Sequence, residues 1–87
     1  MHILLKTHTL TSIRRELDEL IVQTGAKRLV FDLRALDFMD SSGIGLIIGR
    51  YKVMVQRGGS VAVRGPGARI DKIFRMAGLY QLVERLA

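Results

Sequence analysis

The chain has 87 residues, with ten arginines and four lysines against eight acids, a net charge of +6, and no cysteine. That length suits one domain, residues 1–87, whose single core buries about 60–65% of the extended chain's surface. The absence of cysteine excludes a disulfide scaffold and any Cys-based zinc site.

At 48% hydrophobic and 25% charged residues the composition is that of a globular protein, and the uninterrupted apolar runs are far too short to span a membrane. With no secretory pattern at the start, the expected location is cytoplasmic. The basic balance raises nucleic acid or an acidic protein as partners. The cations are scattered, with only pairs such as Arg14-Arg15 and Lys27-Arg28 adjacent, and the five aromatics are not interleaved among them. Nucleic-acid binding is therefore poorly supported.

Residues 1–6 (Met-His-Ile-Leu-Leu-Lys) are apolar enough for a short strand. Residues 7–12 supply several candidate caps, after which Ile13, Leu17, Leu20 and Ile21 repeat at i, i+4, i+7 and i+8. That spacing predicts an amphipathic helix of about three turns, with Arg14, Arg15, Glu16, Asp18 and Glu19 mostly facing water. Gly25 is placed to end it. Residues 27–33 then form a short apolar run of the kind expected for a strand buried on both faces. His2 and His8 have no further histidine or carboxylate at ligand spacing, so they read as surface or strand-end residues and not as metal ligands.

Ile44, Ile47, Ile48, Tyr51 and Val55 recur at helical spacing, with Arg50, Lys52 and Arg57 among them. The pattern predicts a helix over residues 42–57, with Ile47, Ile48 and Tyr51 turned toward the sheet against Leu29, Phe31 and Val61. Gly58-Gly59 breaks it, and residues 60–63 read as another buried strand. Arg64-Gly65-Pro66-Gly67 is a turn. Ile70, Ile73 and Phe74 mark a short helix closed near Gly78, and residues 79–83 suit a last strand. The order (β)αβαβαβ argues for an α/β domain, a mainly parallel central sheet with helical crossovers.

The stretch Asp37-Phe38-Met39-Asp40-Ser41-Ser42-Gly43-Ile44-Gly45 is a strand-to-helix junction. A serine there either caps orphan backbone N–H groups or presents a phosphate to the positive end of the helix dipole. The glycines Gly43, Gly45 and Gly49 miss the dinucleotide spacing, with Ile48 where the third glycine belongs, and the next strand ends in Val63-Arg64 and not in an acid. No cofactor is expected. Ser41 and Ser42 lack the surroundings of a nucleophilic serine, and no paired carboxylates or metal ligands suggest another enzyme class. The chain is not expected to be an enzyme.

The same nine residues, with Gly49-Arg50-Tyr51-Lys52, Gly58-Gly59, Ile73-Phe74-Arg75-Met76 and Ala77-Gly78-Leu79, closely resemble the STAS domain of bacterial anti-sigma factor antagonists, especially the sporulation type. The likeness runs from about His8 to Val83. It implies a partner switch in which an anti-sigma factor, itself a serine kinase, is bound by the unmodified antagonist and so releases its sigma factor. Phosphorylation ends the contact and a phosphatase restores it. By resemblance, Ser41 is the phosphoacceptor, Asp40 and Ser42 flank it as partner-binding cap residues, and Gly43 permits the partner's close approach. Compared with the family, Leu4-Leu5-Lys6 stands where an acidic segment of the partner surface falls, and the terminal helix would lie past Ala87. The uncovered sheet edge makes a homodimer or strand swap a further expectation. The alternative is a STAS-like interaction module or accessory subunit with no phosphorylation cycle.

Overall fold

A computed structural model describes residues 1–6 and 13–86, so His8 and the candidate caps in residues 7–12 lie outside the described residues. Four strands, β1 (His2–Leu4), β2 (Arg28–Asp32), β3 (Ser60–Arg64) and β4 (Glu84–Leu86), alternate with helices α1 (Ile13–Thr24), α2 (Ser41–Gln56) and α3 (Ala68–Met76). All strand pairs are parallel and the sheet order is β1-β2-β3-β4. The expected α/β class and crossover order are those observed.

Register decides what each face of the sheet carries. Ile3, Phe31, Val63 and Arg85 lie side by side, as do Leu29 and Val61. Successive crossovers of one hand in a sheet of sequential order place all three helices on that same face. Leu29, Phe31, Val61 and Val63 are accordingly buried there with Leu17, Ile21, Ile47, Met54, Ile70 and Phe74. Among the described residues the opposite face carries no helix. His2, Leu4, Arg28, Ser60 and Glu84 are exposed on it, and Arg28 reaches across to the Glu84 carboxylate. The β2 strand is thus not covered on both faces as its apolar run suggested; its second face is built from Val30, the paired Asp32 and the stem of Arg28.

Two further expectations change. Residues 79–83 are not a strand. Gly78 ends α3 in the left-handed region (φ 70°), and a 3-10 turn at Leu79–Gln81 follows, with Val83 N donating to the Leu79 carbonyl at 3.0 Å. Leu79 and Val83, four apart, are buried together by that coil, and pairing begins only at Glu84. The second change is the phase of α2. Its buried line is Gly43, Leu46, Ile47, Arg50 and Met54. Ile44, Ile48 and Tyr51 are only partly buried, and Val55 is 48% exposed. In α1, Leu20 is exposed while Leu17 and Ile21 carry the packing.

Arg50 is the buried cation that makes this phase possible. Its Nε stands 2.9 Å from Asp18 Oδ1 of α1, a charge contact and not an aligned hydrogen bond, and Nη1 is buried with no hydrogen-bond partner among the described residues. Burial pushes its pKa down, Asp18 opposes that, and Arg14 adds to it. Arginine nevertheless stays charged at any working pH.

At the other end of the helical layer, Asp71 of α3 gathers three donors. Tyr80 Oη donates to Oδ1 at 2.6 Å, Arg75 Nε to Oδ2 at 2.8 Å, and Arg85 Nε to Oδ1 at 3.0 Å. Tyr80 also meets Phe74 edge-on, with ring centroids 6.0 Å apart. The cluster joins α3, the 3-10 turn and β4. Tyr80 and the arginines hold the Asp71 carboxyl down to about 2, from an ordinary 3.8. Burial, then Asp71 itself, pushes the Tyr80 phenol up to about 12.

Ile47→Ala should destabilise the domain by about 2–5 kcal/mol, and Ile48→Ala by clearly less; equal shifts in the denaturation midpoint would mean the α2 phase is wrong. Because the Asp71 pKa is lowered on folding, its contribution is fully present above about pH 4 and is lost as pH falls toward 2. Asp71→Asn should therefore flatten the acid side of the stability profile in that window, and Tyr80→Phe should raise the Asp71 pKa measured by NMR titration.

Candidate functional site

In a parallel sheet of this kind the strands' C-terminal ends, the loops that leave them and the helix N-termini share one end of the molecule, where α/β folds bind their ligands. The loop between β2 and α2 spans residues 33–40 there. Leu33, Leu36 and Met39 are buried and pin it, while Phe38 between them is 53% exposed.

At the loop's end Asp40 is extended (φ −100°, ψ −171°). Its Oδ1 accepts from Ser42 N at 3.0 Å and Gly43 N at 3.3 Å, and its carbonyl accepts from Ile44 N at 3.2 Å. This is an N-cap: a carboxylate satisfying orphan donors at the positive end of α2. The cap is supplied by Asp40 alone. Ser41 and Ser42 are exposed, and Ser41 Oγ has no hydrogen-bond partner among the described residues.

The structure brings Asp40, Ser41 and Ser42 together on the surface and places Gly43 beneath them. A Cβ on Gly43 would stand 2.5 Å from Met39 Cγ, so the close approach it permits is that of a buried side chain of its own loop. Gly43 is therefore removed from the surface on which a partner would bear. Gly45 and Gly49 differ: a Cβ on either would meet nothing within 4 Å, and Gly45 is exposed on the helical turn beside Ser41.

A polar group that the sequence reading did not single out supports this end from the open face. Asp32, 2% exposed at the end of β2, accepts from Arg34 Nη2 at 2.6 Å, Arg34 Nε at 3.0 Å and the Arg34 backbone at 3.1 Å, and lies 3.1 Å from His2 Nε2. Arg34 holds the Asp32 carboxyl well below the usual carboxylate range, outweighing burial. The stem of Arg34 lies across Gly65, whose added Cβ would be 2.3 Å from Arg34 Cγ, so the ends of β2 and β3 are tied together. The Asp-x-Arg spacing at a strand exit is the signal that could have shown it. Arg50 had none, since it reads as one of the helix's solvent cations.

Among the described residues no cluster of three or more His, Cys, Asp or Glu could hold a metal ion, and no helix is long and apolar enough to cross a membrane.

Known proteins are similar to this chain in sequence and in fold. An anti-sigma F factor antagonist of Paenibacillus polymyxa is 38% identical over 76 residues, 87% of this chain and 65% of that protein. An anti-sigma-B factor antagonist of Staphylococcus aureus is 31% identical over 71 residues, 78% of this chain and 66% of that one. The chain thus spans just under two thirds of the length of these relatives. The Bacillus cell fate determinant SpoIIAA, solved in its phosphorylated form, superposes with a TM-score of 0.72 at 26% identity, covering 99% of this chain and 79% of that one. The profile of the STAS domain matches residues 4–87, and the chain belongs to the STAS domain family.

Proposed function

We propose that the chain is an anti-sigma factor antagonist, working as a partner switch controlled by phosphorylation of Ser41. One observation carries the choice over a module without the cycle. Asp40 supplies the helix cap, so Ser41 is not needed for capping, and its hydroxyl is exposed and unengaged among the described residues. The names of the curated relatives, and the phosphorylated state of the SpoIIAA structure, support the same reading.

The unmodified chain binds an anti-sigma factor that is also a serine kinase, freeing a sigma factor. Ser41 Oγ attacks the γ-phosphorus of the kinase's ATP, the bond to the β-phosphate oxygen breaks, ADP leaves, and the hydroxyl proton passes to a base on the kinase. The chain is thus the substrate, not the catalyst. The phosphate adds about −1.5 to −2 charge, which the positive end of α2 tolerates within the fold. In the complex the same anion would be desolvated beside the Asp40 carboxylate, and a buried unpaired charge costs several kcal/mol. Release follows from electrostatics with the fold unchanged. A phosphatase hydrolyses the ester and resets the switch in the cytoplasm.

Ser41→Ala should bind the anti-sigma factor and stay bound in the presence of ATP, whereas Ser41→Asp should bind roughly a hundredfold or more weakly. Calorimetry on both variants decides it, and equal affinities would refute the switch at Ser41. Asp40→Ala should cost about 0.5–2 kcal/mol of stability and Asp40→Asn little, since asparagine caps as well. Thermal unfolding of the two variants separates the cap from any contact Asp40 makes with the partner.

A further inference from the structure

The changed phase of α2 leaves an apolar flank, Ile44, Ile48, Tyr51 and Val55, whose first three residues the core uses only in part and whose last stands open. α2 crosses from β2 to β3 and α3 from β3 to β4, so they are neighbours on the helical face. The flank of α2 that meets α1 is marked by Arg50 against Asp18. The flank of α3 that meets β4 is marked by Asp71 against Tyr80 and Arg85. At about 100° per residue, the remaining flanks are Ile44, Ile48, Tyr51 and Val55 on α2, and Arg69, Ile73 and Met76 on α3. By the order of the crossovers these two flanks lie on the side that the two helices share.

The upper part of this surface, Ile44, Ile48, Tyr51 and Ile73, is half-buried. Its lower part is open, with Val55 at 48% and Met76 at 78% exposure. The spacing i, i+4, i+7, i+11 along α2 is that of a helix face prepared for another helix.

Charge says which kind of helix. Residues 41–56 contain no acid, and the one acid of α3, Asp71, is on the far flank and engaged by Tyr80, Arg75 and Arg85. The exposed residues bordering the surface are Lys52, Arg69 and Lys72, none of which makes an ion pair among the described residues. A second copy of this chain would bring the same basic border against its own. We propose that the surface shared by α2 and α3 seats an amphipathic helix of a partner protein, its apolar stripe on Ile44, Ile48, Tyr51, Val55, Ile73 and Met76 and its flanks acidic. The proposal stands independently of the Ser41 switch, though the surface begins one turn below that serine.

The test uses the whole chain and two labelled helical peptides with leucine at i, i+4, i+7 and i+11. In one every other position is glutamate or alanine; in the other lysine replaces each glutamate. Fluorescence anisotropy should show the acidic peptide binding at least tenfold more tightly than the basic one, with affinity falling as salt is raised. Val55→Glu with Met76→Glu, both at exposed positions and so compatible with folding, should abolish that binding while leaving the thermal midpoint unchanged. Backbone NMR shifts on titration should fall on residues 44–55 and 69–76. Equal binding of both peptides, no binding of the acidic one, or undiminished binding by the double variant would overturn the proposal. So would sedimentation showing that the free chain dimerises and that the double variant does not, since the surface would then be covered by a second copy.

Discussion

The carboxylate of Asp40 on the N–H groups of Ser42 and Gly43 is the contact from which the functional end of this molecule follows. An N-cap stabilises a helix by only about 1 kcal/mol, but this one also decides where α2 begins and therefore how it is rotated. With the helix started at Ser41, Gly43 falls under Met39, Arg50 falls toward Asp18, and Met54 falls on the sheet. Two consequences sit on opposite sides of the same helix. The serine next to the cap is freed of structural duty, and the apolar residues that would make the more obvious core face are turned to its margin, on the side toward α3.

The sheet's sequential order explains why the chemistry collects at one end. Among the described residues all the helices lie on one face, and the other has no covering layer. It manages with polar side-chain contacts: the cross-strand ion pair of Arg28 and Glu84 near the strands' beginnings, and the Asp32 carboxylate near their ends, held by Arg34 two residues on and lying 3.1 Å from His2 Nε2. The Asp32 pair is the more consequential, because its arginine lies over Gly65 and links the loop that carries Ser41 to the strand ends on which it rests. Replacing Arg34 would leave the buried Asp32 carboxylate with much of its pairing gone at the root of that loop.

Much of this was legible in the residues. The alternation of apolar runs and helical spacings, punctuated by Gly25, Gly58-Gly59 and Gly78, defined the α/β order and the position of Ser41 at a helix start. Two kinds of error had physical causes. The run from residue 44 to 55 is apolar on most of its circumference, so spacing alone could not tell the face that meets the sheet from its neighbour. A buried arginine and a buried glycine then settled the phase, and neither residue type advertises burial. After Gly78, Leu79 and Val83 are buried through a 3-10 turn at a spacing of four, where alternation was expected. Which of Asp40 and Ser41 serves as the cap depended on a backbone dihedral, which no local composition encodes.

The claim that Ser41 is free for modification because Asp40 caps the helix is open to one direct measurement. The full chain is incubated with an anti-sigma factor kinase and ATP, and the product is digested and mapped by tandem mass spectrometry. A single phosphate on Ser41, absent in Ser41→Ala even though Ser42 remains, is the expected result. Phosphate on Ser42 in the wild type, or undiminished phosphorylation of the Ser41→Ala chain, would contradict it.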